Sequence, residues 1–215
     1  LTNEFSIVEV KNELQKFVKI TSKMNDFTQQ LILETDRKKI NKLLQKIEQY
    51  EEITDRIENE VSEFLAKFND SDLSPKSSED IRSILTIISE LENIGDIYYS
   101  ISKNLERKIE NKLYFIPSQR NNLMQMLSIV EKHFGILKEI MNNMDKSNEK
   151  LIENSYLFEN ELNKLNYKLK KDHLKSIEKK EYKIKTGILY ADLLTSLELI
   201  GNHITEITDN IDMLN

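Results

Sequence analysis

The chain has no cysteine, which excludes disulfides and thiolate metal sites. It has only 4 glycines and 2 prolines in 215 residues, so it holds few tight turns and room for many long helices. No window shows the period-two alternation of a half-buried strand. No apolar run approaches the ~18 residues that a membrane-spanning helix needs, and no signal-peptide pattern opens the chain. Basic residues are outnumbered, 31 Lys and Arg against 37 Asp and Glu. The net charge of -6 argues against a basic nucleic-acid footprint and favours cations or a basic partner surface. The first residue is Leu1 rather than Met, as expected of a chain processed or excised from something longer.

What is present is helical pattern. Hydrophobic residues make up 39% and charged residues 32%, a balance that suits slender rods, each hiding one stripe. A first helix is expected near residues 5 to 34, with Ile7, Val10, Leu14, Phe17, Ile20, Met24, Phe27 and Leu31 on its seam. A second follows Thr35-Asp36, a capping pair, with the seam Ile40, Leu43, Ile47, Tyr50, Thr54, Ile57, Val61, Phe64 and Phe68. Asn69 to Pro75 is a break built from turn formers. Ser77, with Asp80 three residues on, is the expected cap of a third helix with the seam Ile81, Ile84, Ile88, Leu91, Gly95, Tyr98, Ser102 and Leu105. Pro117-Ser118 then restarts the cycle. Further helices are expected from about 119 to 146, 150 to 179 and 183 to 212, with Phe158, Leu162, Leu165 and Leu169 lining the fifth and Leu193, Leu197, Ile200, Ile204, Ile207 and Ile211 the sixth.

Leu91-Glu92-Asn93-Ile94-Gly95-Asp96 returns as Leu197-Glu198-Leu199-Ile200-Gly201-Asn202. Inside a helix each glycine costs roughly 1 kcal/mol relative to alanine, and here it falls twice at the same place beside a glutamate. The repeat of about 106 to 108 residues divides the chain into 1–115 and 116–215, each a three-helix unit. The expected fold is all-α: tandem duplicated three-helix bundles of six long antiparallel helices. Gly95 and Gly201 are read as points of close helix approach.

The second helix carries its own acidic pair, Glu51 and Asp55, and the fifth carries Glu159 and Asn163 in the same relation to the seam. Residues four apart share one helix face. If neighbouring helices bring the pairs together, Glu51, Asp55, Glu92 and Asp96 line one groove. All-oxygen sites of this kind suit hard cations such as Mg²⁺, Ca²⁺, Mn²⁺ or iron. The corresponding set in the second half is Glu159, Asn163, Glu198 and Asn202, two charges poorer. A solvated acidic face is the competing reading of any one pair. His203, just past the second motif, is either a further ligand or a boundary residue.

These phrases, Leu-Glu-x-Ile-Gly-Asp/Asn and Glu-x-x-x-Asp on a doubled three-helix unit, resemble the PhoU family. Tyr50 to Glu58, Leu73-Ser74-Pro75 and Lys171-Asp172-His173-Leu174 look like the PhoU-like C-terminal domain of bacterial sodium–phosphate cotransporter proteins. The resemblance implies a non-enzymatic, metal-responsive domain that modulates phosphate uptake through helix packing. It implies Glu51, Asp55, Glu92, Asp96, Glu159 and Glu198 as ligands to a divalent or trivalent ion (Fe, Mn, Mg, Ca or Zn), and here Asn163 and Asn202 depart from the carboxylate pattern. It also implies a membrane transporter domain as partner, in the same polypeptide or another chain, with metal-bridged phosphate, a homo-oligomer and the cytoplasmic inner face of the membrane as further expectations.

Two other readings are a free-standing PhoU-type regulator and a purely structural helical scaffold. A carboxylate-bridged di-iron enzyme would need Glu-x-x-His pairs. The residues three before His133, His173 and His203 are Val130, Lys170 and Ile200, so that motif is absent. Tyr98 and Tyr99 read as core and rim. The basic run Lys168, Lys170, Lys171, Lys175, Lys179 and Lys180 reads as a solvated face, or as a contact for anionic headgroups beneath a membrane.

Overall fold

Among the described residues six helices form where the seams are continuous, and side-chain caps open the second and third. The computed structural model describes residues 3–67, 74–144 and 148–214, with side chains from Val10 onward. The side chain of Ile7, together with Leu1 and the stretch Phe68 to Leu73, lies outside the described residues. The helices are α1 (Asn3–Leu33), α2 (Arg37–Leu65), α3 (Pro75–Glu110), α4 (Pro117–Asn142), α5 (Glu149–Glu178) and α6 (Ile184–Asp212). Among the described residues there is no strand. None of these helices is long and apolar enough to cross a membrane.

Asp36 caps α2 by accepting from the Lys39 amide at 2.9 Å. The start of α3 corrects the sequence expectation. Its N-cap is Ser74, which accepts from the Ser77 amide at 3.1 Å. Pro75 is the first helical residue, where its missing N–H costs nothing, and Ser77 lies one turn inside. Pro117 likewise opens α4, two residues earlier than the pattern suggested. α3 and α5 both end by swinging a lysine, Lys112 at φ 50 and Lys180 at φ 57, into the left-handed region usually left to glycine.

Each repeat is a three-helix bundle, and the two share one core. α3 lies along α6 and α1 along α4, while α2 and α5 pack on the outside against α1/α3 and α4/α6. The expected seams supply most of the buried apolar side chains, among them Leu14, Phe17, Ile47, Ile88, Leu91, Leu162, Leu197 and Ile204. Tyr98 pins the repeats together: it is wholly buried, and its hydroxyl donates to Asn25 Oδ1 at 2.9 Å, while Asn25 Nδ2 donates to the Leu127 carbonyl at 3.3 Å. Tyr99 sits at the rim, its hydroxyl donating to Glu48 at 3.4 Å.

Both motif glycines lie at tight helix crossings. A Cβ at Gly95 would stand 2.7 Å from Thr54 Oγ1 and 3.3 Å from Thr54 Cβ. Thr54 is fully buried and its hydroxyl donates to the Glu51 carbonyl at 2.7 Å, so it has little freedom to turn aside. At Gly201 the clash would be with Leu162 Cδ2 at 2.5 Å, the far end of a side chain. Gly95→Ala is therefore expected to destabilise the protein by about 1–2 kcal/mol in urea unfolding, the overpacking cost exceeding the helix-propensity gain. Adding Thr54→Ala should return part of that loss. A Gly95→Ala protein more stable than wild type would show that α2 and α3 do not approach so closely.

Candidate metal centre

The Gly95–Thr54 crossing draws the rims of α2 and α3 together. Thr54 and Ile57 face the core, so Glu51, Asp55 and Glu58, at i, i+4 and i+7, share the adjoining flank. On α3, Leu91 and Ile94 are buried and Glu92 and Asp96 flank them. One carboxylate oxygen from each of Glu51, Asp55 and Asp96 lies within 4.8 Å of the others. Glu92 stands beside this trio, within hydrogen-bonding reach of Asp96.

The electrostatics record the crowding. Partial burial raises the Glu51 carboxyl above its ordinary value, and the charges of Asp55 and Asp96 push it further. Glu58 is raised by the same causes in the same order. Glu92 is pushed up to about 7, first by burial and then by the Asp96 and Glu58 charges and its hydrogen bond with Asp96. Nothing cationic in the described structure ion-pairs with Glu51, Asp55, Glu58, Glu92 or Asp96. A dense, oxygen-only cluster that opens to solvent at Asp96 fits a hard cation, which would supply the missing positive charge.

Three of the four first-repeat candidates thus converge and Glu92 adjoins them. Glu58 was missing from the expected set. Its position, seven after Glu51 and three after Asp55, was the signal for it.

The second repeat departs from the first. Glu198 pairs with Lys170 at 3.3 Å, across α5 and α6, so a lysine stands where a cation would be needed. Asn202 is exposed, Glu159 is half-buried, and Asn163 has a buried Oδ1 with no hydrogen-bond partner. Among the described residues, Glu159 and Glu198 join no group of three that could hold a metal. His203 faces away from this set in its bonding. Its Nδ1 meets Glu90 of α3, bridging the two repeats.

The PhoU domain family matches the chain twice, over residues 14–105 and 123–211, once on each three-helix unit. The chain belongs to the PhoU family. Among solved structures it is similar to PhoU from Pseudomonas aeruginosa, with a TM-score of 0.84 and 15% identity over 98% of this chain and 97% of that one. It is also similar to a PhoU-like protein from Shewanella oneidensis MR-1, with a TM-score of 0.75 and 12% identity over 95% and 98%. A PhoU-like phosphate regulatory protein from the same organism superposes with a TM-score of 0.73 and 13% identity over 95% and 98%. No curated protein sequence matches the chain. At these identities the likeness of the solved structures is one of fold, and this PhoU chain's acidic groove stands on its own geometry.

The raised Glu92 carboxyl makes the stability of the metal-free protein depend on pH. The native state holds a proton on Glu92 up to about pH 7, whereas the unfolded chain releases it near 4.5. Between these values the native state binds more protons, so stability falls as pH rises. Melting temperature should drop across that window after chelation, and Glu92→Gln, which keeps the neutral shape, should flatten the drop. A wild-type profile with no slope there, or an unchanged slope in Glu92→Gln, would mean that Glu92 is not under this strain.

Proposed function

We propose that this chain is a PhoU-type regulator in phosphate uptake or signalling, without enzymatic activity, in which an ion held between α2 and α3 sets the packing of the first repeat. The observation that carries the reading is the convergence of Glu51, Asp55 and Asp96 over the Gly95–Thr54 contact. Those three residues would hold the cation, with Glu92 and Glu58 beside it. A bound cation would supply positive charge and a point at which phosphate oxygens could be attracted. Without that charge the groove repels phosphate. The protein's own part is mechanical. Five carboxylates crowd one helix pair, so neutralising them favours a tighter α2–α3 contact and removing the ion favours a looser one.

Phosphate enters the reading through the relatives: the Shewanella protein is described as a phosphate regulatory protein, and the chain spans it and the Pseudomonas PhoU almost end to end. The PhoU family match on both repeats supports a PhoU-type regulator. The tail of a sodium–phosphate cotransporter is the second reading. It rests on the stretches Tyr50 to Glu58 and Lys171 to Leu174 and implies a membrane transporter domain as the partner, at the inner face of the membrane.

Metal binding is tested directly by elemental analysis together with thermal unfolding. Wild-type protein purified without chelators should carry a transition or alkaline-earth metal, and Asp55→Asn/Asp96→Asn should fall to background. Mn²⁺ at a hundred times its dissociation constant should stabilise wild type by about 2.7 kcal/mol and leave the double variant unmoved. Glu198→Gln should behave as wild type. Equal metal content in wild type and the double variant would remove the ion from the account.

A further inference from the structure

The α5–α6 hairpin reverses the charge of the molecule. Eight lysines and three carboxylates lie between residues 168 and 185, in a chain whose net charge is -6. Two of the lysines are engaged, Lys170 with Glu198 and Lys175 with Asp172. Lys179, Lys180, Lys183 and Lys185 are exposed and make no ion pair among the described residues. Interleaved with them are large apolar side chains that the fold leaves bare: Leu174 is 62% exposed, Ile184 69% and Ile188 56%. The neighbouring turn between α3 and α4 adds to this end. Phe115 packs edge-on against Tyr190 of α6 with ring centroids 6.3 Å apart, which places the exposed Lys112 and the 75% exposed Tyr114 beside the hairpin.

Lysines alone make a solvated face. Bare aliphatic side chains among unpaired lysines ask for something that takes both. The bare apolar side chains alternate with lysines along the hairpin and form no continuous apolar run of the kind a protein partner would cover. A fluid anionic surface suits the hairpin: headgroups meet the ammonium groups, and single apolar side chains enter the acyl boundary without needing a matching pocket.

We infer that the α5–α6 tip docks the protein on anionic phospholipid bilayers, with Lys179, Lys183 and Lys185 holding headgroups and Ile184 and Ile188 entering the interface. The tip lies outside the acidic groove, so this docking stands apart from ion binding. It also sets an orientation, with α5 and α6 standing end-on to the bilayer.

Flotation of the full chain with phosphatidylcholine vesicles, with and without phosphatidylglycerol, tests the inference. The protein should float only with the anionic vesicles, and less as salt is raised. Lys179→Glu/Lys183→Glu/Lys185→Glu should lower partitioning at least about tenfold with an unchanged melting temperature. Ile184→Ser/Ile188→Ser, which keeps every lysine, should also weaken it. Asp55→Asn/Asp96→Asn should float as wild type does, which separates this result from the fate of the ion site. Equal flotation on neutral and anionic vesicles, absence of flotation on both, or unchanged binding by the lysine variant would overturn the inference.

Discussion

The contact between Gly95 and Thr54 is the constraint on which the first repeat depends. Helix pairs ordinarily keep enough distance for like-charged rims to avoid one another. Here the absence of one Cβ lets α3 settle against a threonine whose hydroxyl is tied to its own helix. Glu51, Asp55 and Glu58 then face Glu92 and Asp96 across a narrow gap. Apolar packing beneath them, through Ile47, Ile88, Leu91 and Ile94, holds the carboxylates where their mutual repulsion would part them. Partial burial, and after it that opposition, raises the carboxyl values of Glu51, Glu58 and Glu92, and the crowding of oxygens fits a cation.

The second repeat shows what happens when the same scaffold is relieved of the conflict. Leu162 replaces Thr54 opposite the glycine, so the crossing is closed by an apolar side chain instead of a tethered hydroxyl. Asn163 and Asn202 remove two charges, and Lys170 neutralises a third. The duplicated fold thus carries one electrostatically strained groove and one quiet one. The shared core of α1, α3, α4 and α6 and the Glu90–His203 bridge link the two halves.

The architecture was legible because seams repeat at 3 and 4 residue spacing and because glycine is so scarce that two in register carry meaning. The pairing of α2 with α3 stood only as a condition in the sequence; the contact between them brings Glu51, Asp55 and Asp96 together. Other features depended on three-dimensional neighbours. Ser74 takes the cap from Ser77 because Pro75 is well placed only as the first residue of the helix. Lys170 reaches Glu198 along a direction that spacing on α5 alone does not reveal. His203 turns to a glutamate 113 residues away, a partner with no local trace in the chain. Glu58 was within reach of the pattern, but a search for pairs four apart stops before the next helical turn.

Anomalous X-ray scattering from crystals grown with Mn²⁺ tests the central claim most directly. The account predicts a peak bounded by carboxylate oxygens of Glu51, Asp55 and Asp96, and none between Glu159 and Glu198. A map with no density in the α2–α3 groove, or with the ion held by another set of side chains, would contradict it.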